Sequence, residues 1–144
     1  MQTHLIHFHT SDNLRLPGIL FEPEKNTKKV ALYLHGNGTS SIFYSRLTPI
    51  LGKQMTDAGV AYFPFNNRGA HLMKSFRVPN GDKEKRVMYG TAYELIKDCI
   101  KDIEGSIAAL QERGFTEFYL IGESTGANKI VLYHYYKRKN PISK

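Results

Sequence analysis

Three short apolar runs each end in a glycine-bearing turn, and a segment with helical spacing follows each turn; this alternation constrains the fold more than any other property of the chain. Val30-Ala31-Leu32-Tyr33-Leu34 is uninterrupted by polar residues, the pattern of a strand covered on both faces, and it stops at His35-Gly36-Asn37-Gly38. Val60-Ala61-Tyr62-Phe63-Pro64-Phe65 leads into Asn66-Asn67-Arg68-Gly69-Ala70-His71. Phe118-Tyr119-Leu120-Ile121 leads into Gly122-Glu123-Ser124-Thr125-Gly126, with a helix-like run opening at Ala127. Strands separated by helices imply right-handed crossovers and a parallel sheet.

The remaining segments fit that frame. Ile6 and Phe8 share one face of an N-terminal strand while His7 and His9 share the other. Ser11-Asp12-Asn13 turns the chain into a second strand, Leu14 to Phe21, interrupted at Pro17-Gly18 as at a sheet edge or bulge. Ser40-Ser41 can cap a helix running to Asp57, with Pro49 an offence inside it. The polar stretch through Pro79-Asn80-Gly81-Asp82 reads as a long surface loop. Ala92, Leu95, Ile96, Cys99, Ile103, Ile107 and Leu110 recur at helical spacing before Gly114. The expected class is α/β: a mostly parallel sheet flanked by helices, with an antiparallel start.

At 144 residues the chain has the size of one domain, and 41% hydrophobic content argues for a packed body. The expected organisation is a single α/β domain, 1–144, incomplete at its C-terminus. One cysteine, Cys99, excludes an intrachain disulfide, and the first residues lack the basic and apolar regions of a signal peptide, so a cytoplasmic setting is expected. The net charge of +7 is spread over Lys25, Lys28 and Lys29, over Lys83, Lys85 and Arg86, and over Lys137, Arg138 and Lys139. Those positions fit loops and helix ends, so no nucleic-acid or membrane partner is expected.

Gly122-Glu123-Ser124-Thr125-Gly126 matches G-x-S-x-G, in which small residues flank a serine on a sharp strand-to-helix turn and expose its hydroxyl. Together with the glycine turn at His35 to Gly38 and the Asn67-Arg68-Gly69 turn, it resembles the α/β-hydrolase superfamily over the N-terminal half of such an enzyme, without assigning a subfamily. The resemblance implies Ser124 as nucleophile and an oxyanion hole made by the backbone N–H of Thr125 with that of Asn37 or Gly38. It makes Gly36, Gly122 and Gly126 turn glycines, His35 a brace for the oxyanion turn, and Arg68 a supporting residue. The implied reaction is hydrolysis of a carboxylic ester or a related small acyl substrate, with no cofactor.

In the chain order of that superfamily the acid and the histidine base follow the nucleophile. Twenty residues follow Ser124, and none is Asp or Glu. No triad acid and no triad base are therefore assigned. Glu123 fills the variable position of the pentad, while Asp98 and Asp102 are read as the polar face of a helix. His35 or His71 could act as a substitute base only within hydrogen-bond reach of Ser124, and His134 falls on the helix beyond the pentad. His4, His7 and His9 form no metal site, and Cys99 falls on an apolar stripe as a packing residue. The expected product is half of a hydrolase with an open strand edge prone to self-association; the alternative is a non-catalytic module of the same fold that binds or associates.

Overall fold

The computed structural model describes residues 1–37 and 41–138. Seven strands and three α-helices alternate along the chain: β1 (Gln2–His9), β2 (Arg15–Glu22), β3 (Lys29–Leu34), α1 (Leu47–Asp57), β4 (Ala61–Phe65), β5 (Lys74–Asn80), β6 (Lys83–Tyr89), α2 (Cys99–Glu112), β7 (Glu117–Gly122) and α3 (Thr125–Tyr136). Five strands make one sheet in the order β1-β2-β4-β3-β7. β1 runs antiparallel to β2 with Gln2 opposite Glu22 and His9 opposite Arg15, and β2 runs antiparallel to β4. β3 is parallel to both β4 and β7, with Leu34 opposite Phe65 on one side and Gly122 on the other. The three glycine-bearing turns therefore leave the sheet at one end, which is where an α/β sheet gathers its chemistry.

Helices cover both faces of the sheet. On one, Phe8, Leu16, Leu32, Phe63 and Phe65 pack with Ile103, Ile107 and Leu110 of α2 and Tyr133 of α3. On the other, Phe21, Ala31 and Tyr62 pack with Leu51 and Met55 of α1. Each large apolar side chain taken out of water contributes about 1.5–3 kcal/mol, so the two layers hold the turns in a fixed frame.

Four expectations need correction. The stretch read as a long loop is a hairpin: Phe76 and Val78 point inward between exposed Ser75 and Arg77, and Asn80 pairs with Lys83 across a two-residue turn. Gly81, with φ +62°, takes the first central position that such a turn reserves for glycine. Polar residues on the outer face of this hairpin masked its period of two. The helix placed from Ala92 starts at Cys99, after a single 3₁₀ turn, Ile96–Asp98; Leu95 and Ile96 lie exposed before it.

α1 begins at Leu47 rather than at Ser40-Ser41, of which Ser40 lies outside the described residues. Pro49 then occupies the first turn, where an N–H has no intrahelical partner to lose. Pro17 likewise sits inside β2, a strand with neighbours on both sides rather than an edge. Its carbonyl accepts the Asn66 N–H at 2.9 Å, which ties the β4 turn to the sheet.

Candidate active site

Ser124 stands between β7 and α3 with φ +54° and ψ −123°, a backbone conformation that a side chain disfavours, and it is exposed. Such strain in a non-glycine residue persists only where its surroundings impose it. Here they do. Gly122 closes β7, and a Cβ on Gly126 would stand 2.1 Å from the carbonyl oxygen of Leu34, so the helix start presses directly on the end of β3. The turn closes through Gly126 N–H to Glu123 O at 2.8 Å and Ala127 N–H to Ser124 O at 3.0 Å, while Glu123 N–H donates to Leu34 O at 3.1 Å.

The turn after β3 meets this elbow. A Cβ on Gly36 would lie 2.9 Å from Ser124 Cβ and 3.4 Å from its Oγ, so glycine allows the two turns to touch. The Thr125 hydroxyl donates to Asn37 Oδ1 at 2.8 Å, joining the two residues whose backbone N–H groups are the candidate oxyanion donors. Gly38, the other candidate donor, lies outside the described residues.

His35 is 4% exposed and both its ring nitrogens are engaged. Nδ1–H donates to Gly36 O at 2.7 Å, and Nε2 accepts the Asn67 N–H at 3.2 Å. Burial, with the positive charge of Lys129 nearby, pushes its pKa down to about 4. The ring is thus a neutral strut between the β3 and β4 turns and is not aimed at Ser124. His71 packs its ring edge-on to Tyr44 at 6.5 Å, and His134 is exposed on α3. Among the described residues the Ser124 hydroxyl has no hydrogen-bond partner.

Arg68 is fully buried. It donates to Asp102 through Nε and Nη2 at 2.9 and 2.7 Å, and to Asp12 through Nη1 and Nη2 at 2.9 and 3.1 Å. Burial disfavours its charge, yet these carboxylates hold its pKa above the ordinary value. Asp102 is therefore not on a solvated helix face as read from the sequence. It lies on the buried stripe Cys99, Asp102, Ile103, Ser106, Ile107 and Leu110, whose i, i+3, i+4 spacing was the signal that could have placed it. Cys99 is buried, and burial pushes its thiol pKa up to about 12, which leaves it unreactive.

A second buried ion pair carried no motif. Lys129 of α3 donates to Glu94 Oε1 at 2.5 Å and to Asn67 Oδ1 at 3.1 Å. Gly126, Lys129 and Tyr133 form the inward stripe of α3, so a lysine at core spacing was its only trace in the sequence. Beside the elbow opens a cleft of about 270 Å³ lined by Tyr33, His35, Ser41, Ile42, Tyr44, Ser45, Leu47 and Glu123. The Tyr33 hydroxyl donates to Glu123 Oε2, fixing that carboxylate at the cleft wall. No group of three or more His, Cys, Asp or Glu able to hold a metal ion occurs among the described residues, and no described helix is long and apolar enough to cross a membrane.

No protein-family model and no curated protein matches the sequence significantly, whereas solved structures match its fold. The Pyrococcus furiosus esterase Pf2001 superposes with a TM-score of 0.66 at 19% identity, over 90% of this chain and 46% of the esterase. Est1E from Butyrivibrio proteoclasticus, solved with ferulic acid bound, gives 0.64 at 16% identity, over 91% and 47%. The α/β hydrolase GrgF from Penicillium gives 0.69 at 14% identity, over 96% and 43%. The chain has a partial α/β-hydrolase fold. It spans less than half the length of these structures, and its five-stranded sheet, hairpin and three helices correspond to their N-terminal half.

Proposed function

We propose that residues 1–144 are the nucleophile-bearing half of a serine hydrolase that cleaves carboxylic esters or related acyl compounds. The observation that carries this reading is the exposed Ser124 held at φ +54° on a strand-to-helix turn. In this reaction Ser124 Oγ attacks the substrate carbonyl carbon and loses its proton to a base. The carbonyl oxygen takes up the negative charge within reach of the Thr125 N–H and the Asn37 or Gly38 N–H. The leaving alcohol departs with a proton, and water then releases the acyl group from Ser124.

The base and the acid that orients it are supplied by polypeptide outside these residues. His35 does not take that role, because both its nitrogens are committed to the turns it spans. The Glu123 carboxylate at the cleft wall favours neutral or cationic acyl groups over anionic ones. A fluorophosphonate probe tests the proposal on these residues joined to the polypeptide that supplies the base and acid: labelling that exceeds labelling of Ser124→Ala supports an activated serine, and equal labelling overturns it. Equal labelling would favour the second reading, a binding or association module of the same fold.

A further inference from the structure

Two buried ionisable groups, Lys129 and Glu94, take no part in the proposed chemistry, and their placement is costly. Their side chains are 1% and 6% exposed. Removing an ammonium and a carboxylate from water costs several kcal/mol per ion, and hydrophobic replacements often stabilise such sites. A lysine on the inward stripe of α3 between Gly126 and Tyr133 could have been leucine or methionine as far as packing is concerned. The distinctive property of the ammonium is its three donors, and the one given to Asn67 leads out of the core toward the elbow.

Asn67 is the link. Its Oδ1 accepts from Lys129 Nζ at 3.1 Å and from the Gly69 N–H at 3.0 Å, which folds the β4 turn back on itself. The backbone N–H of the same residue donates to His35 Nε2 at 3.2 Å, and His35 Nδ1–H donates to Gly36 O at 2.7 Å. Gly36 in turn lies against Ser124. An unbroken series of contacts thus runs from the interior of α3, through the β4 turn and the imidazole, to the turn that offers the Asn37 N–H.

Glu94 reaches this place by an unexpected route. The β5–β6 hairpin returns the chain alongside the β4 turn, with Gly90 N–H bonded to Arg68 O and Thr91 N–H to His71 O, both at 2.9 Å. Glu94 N–H then bonds back to Gly90 O at 2.9 Å. The carboxylate is set so tightly over the turn that a Cβ on Gly69 would stand 2.1 Å from Glu94 Oε2. The hairpin therefore delivers the carboxylate that holds the Lys129 Nζ beside Asn67.

We infer that Lys129, held by Glu94, is a positioning residue that sets the oxyanion turn against Ser124 by fixing Asn67 and, through it, the orientation and tautomer of His35. The consequence for catalysis rests on the serine-hydrolase reading; the consequence for His35 does not. Lys129, His71 and Glu123 are the charged or titratable groups acting on that ring, and among them Lys129 favours the neutral form most directly.

The test uses the full 144-residue chain with Lys129→Met and the nearly isosteric Glu94→Gln, and Ile107→Val as a core-destabilised control. Ring ¹⁵N spectra of this chain report the His35 tautomer and titration, and fluorophosphonate kinetics, read with the polypeptide that supplies the base and acid present, separate probe affinity from the rate of covalent labelling. In both variants the His35 signals should lose the single Nδ1–H form, and in Lys129→Met, which removes the nearby positive charge, they should also titrate at higher pH. Labelling should slow about tenfold at unchanged probe affinity, while the control behaves as wild type. A folded variant with wild-type His35 spectra overturns the inference, and Glu94→Gln decides if Lys129→Met does not fold. No labelling of wild type with the base-supplying and acid-supplying polypeptide present would sink the serine reading instead, leaving the His35 spectra to decide positioning.

Discussion

Arg68 Nη2 and Asp102 Oδ1 meet at 2.7 Å with neither side chain exposed to water. The contact joins the β4 turn to α2, and Asp12 adds the β1–β2 turn to the same guanidinium. Three segments far apart in sequence are thereby locked beneath the sheet end that carries Ser124. Asp102→Ala leaves a buried cation short of its partner, a change that costs about 3–5 kcal/mol in comparable pairs. Chemical denaturation should show a loss of that order, and a loss under 1 kcal/mol would refute the assigned role.

Protonation of His35 should cost stability on the acid side. Its folded pKa of about 4 lies below the unfolded value of 6.5, so between those values the unfolded chain binds more protons. Stability is full above pH 6.5 and falls as the pH drops toward 4, by about 3 kcal/mol if the whole shift is expressed. Denaturant midpoints measured across that window should slope accordingly. His35→Gln, which cannot titrate, should flatten the slope; an unchanged slope would assign it to other groups.

The strain at Ser124 predicts opposite outcomes for two glycine exchanges. Ser124→Gly removes the side chain that φ +54° disfavours and should raise stability by about 1 kcal/mol while abolishing phosphonate labelling. Gly126→Ala drives a methyl into Leu34 O and should destabilise by at least 1–3 kcal/mol. Thermal melts of the two variants should therefore move in opposite directions from wild type.

β7 is hydrogen-bonded to β3 alone among the described strands, and nearby Ile121, Val131 and Tyr135 are exposed, Val131 at 70%. An unpaired edge beside apolar side chains favours association. Sedimentation velocity should show the isolated chain self-associating with concentration, and Val131→Lys should weaken it. A monomer at every concentration would contradict this.

Strand and turn positions around Ser124 were readable because each requirement is local. A continuous apolar run makes a covered strand, a glycine admits a close approach, and G-x-S-x-G needs only its own five residues to turn. The β5–β6 hairpin was missed because only Phe76, Val78, Val87 and Tyr89 face inward, amid charged residues. The start of α2 was misplaced because Leu95 and Ile96 keep helical spacing while the chain before Cys99 is still turning to bury Glu94.

By itself, then, the sequence determined the α/β alternation and the glycine-flanked turn at Ser124, since apolar periodicity and glycine placement act over a few residues. Only the tertiary structure decided where the buried charges went. Arg68, Asp102, Lys129 and Glu94 look like surface residues in a list of letters, and their burial is tolerable only because partners up to 62 positions away arrive at hydrogen-bond distance. That pairing depends on the folded chain, where the energy of a desolvated charge is set by what stands next to it.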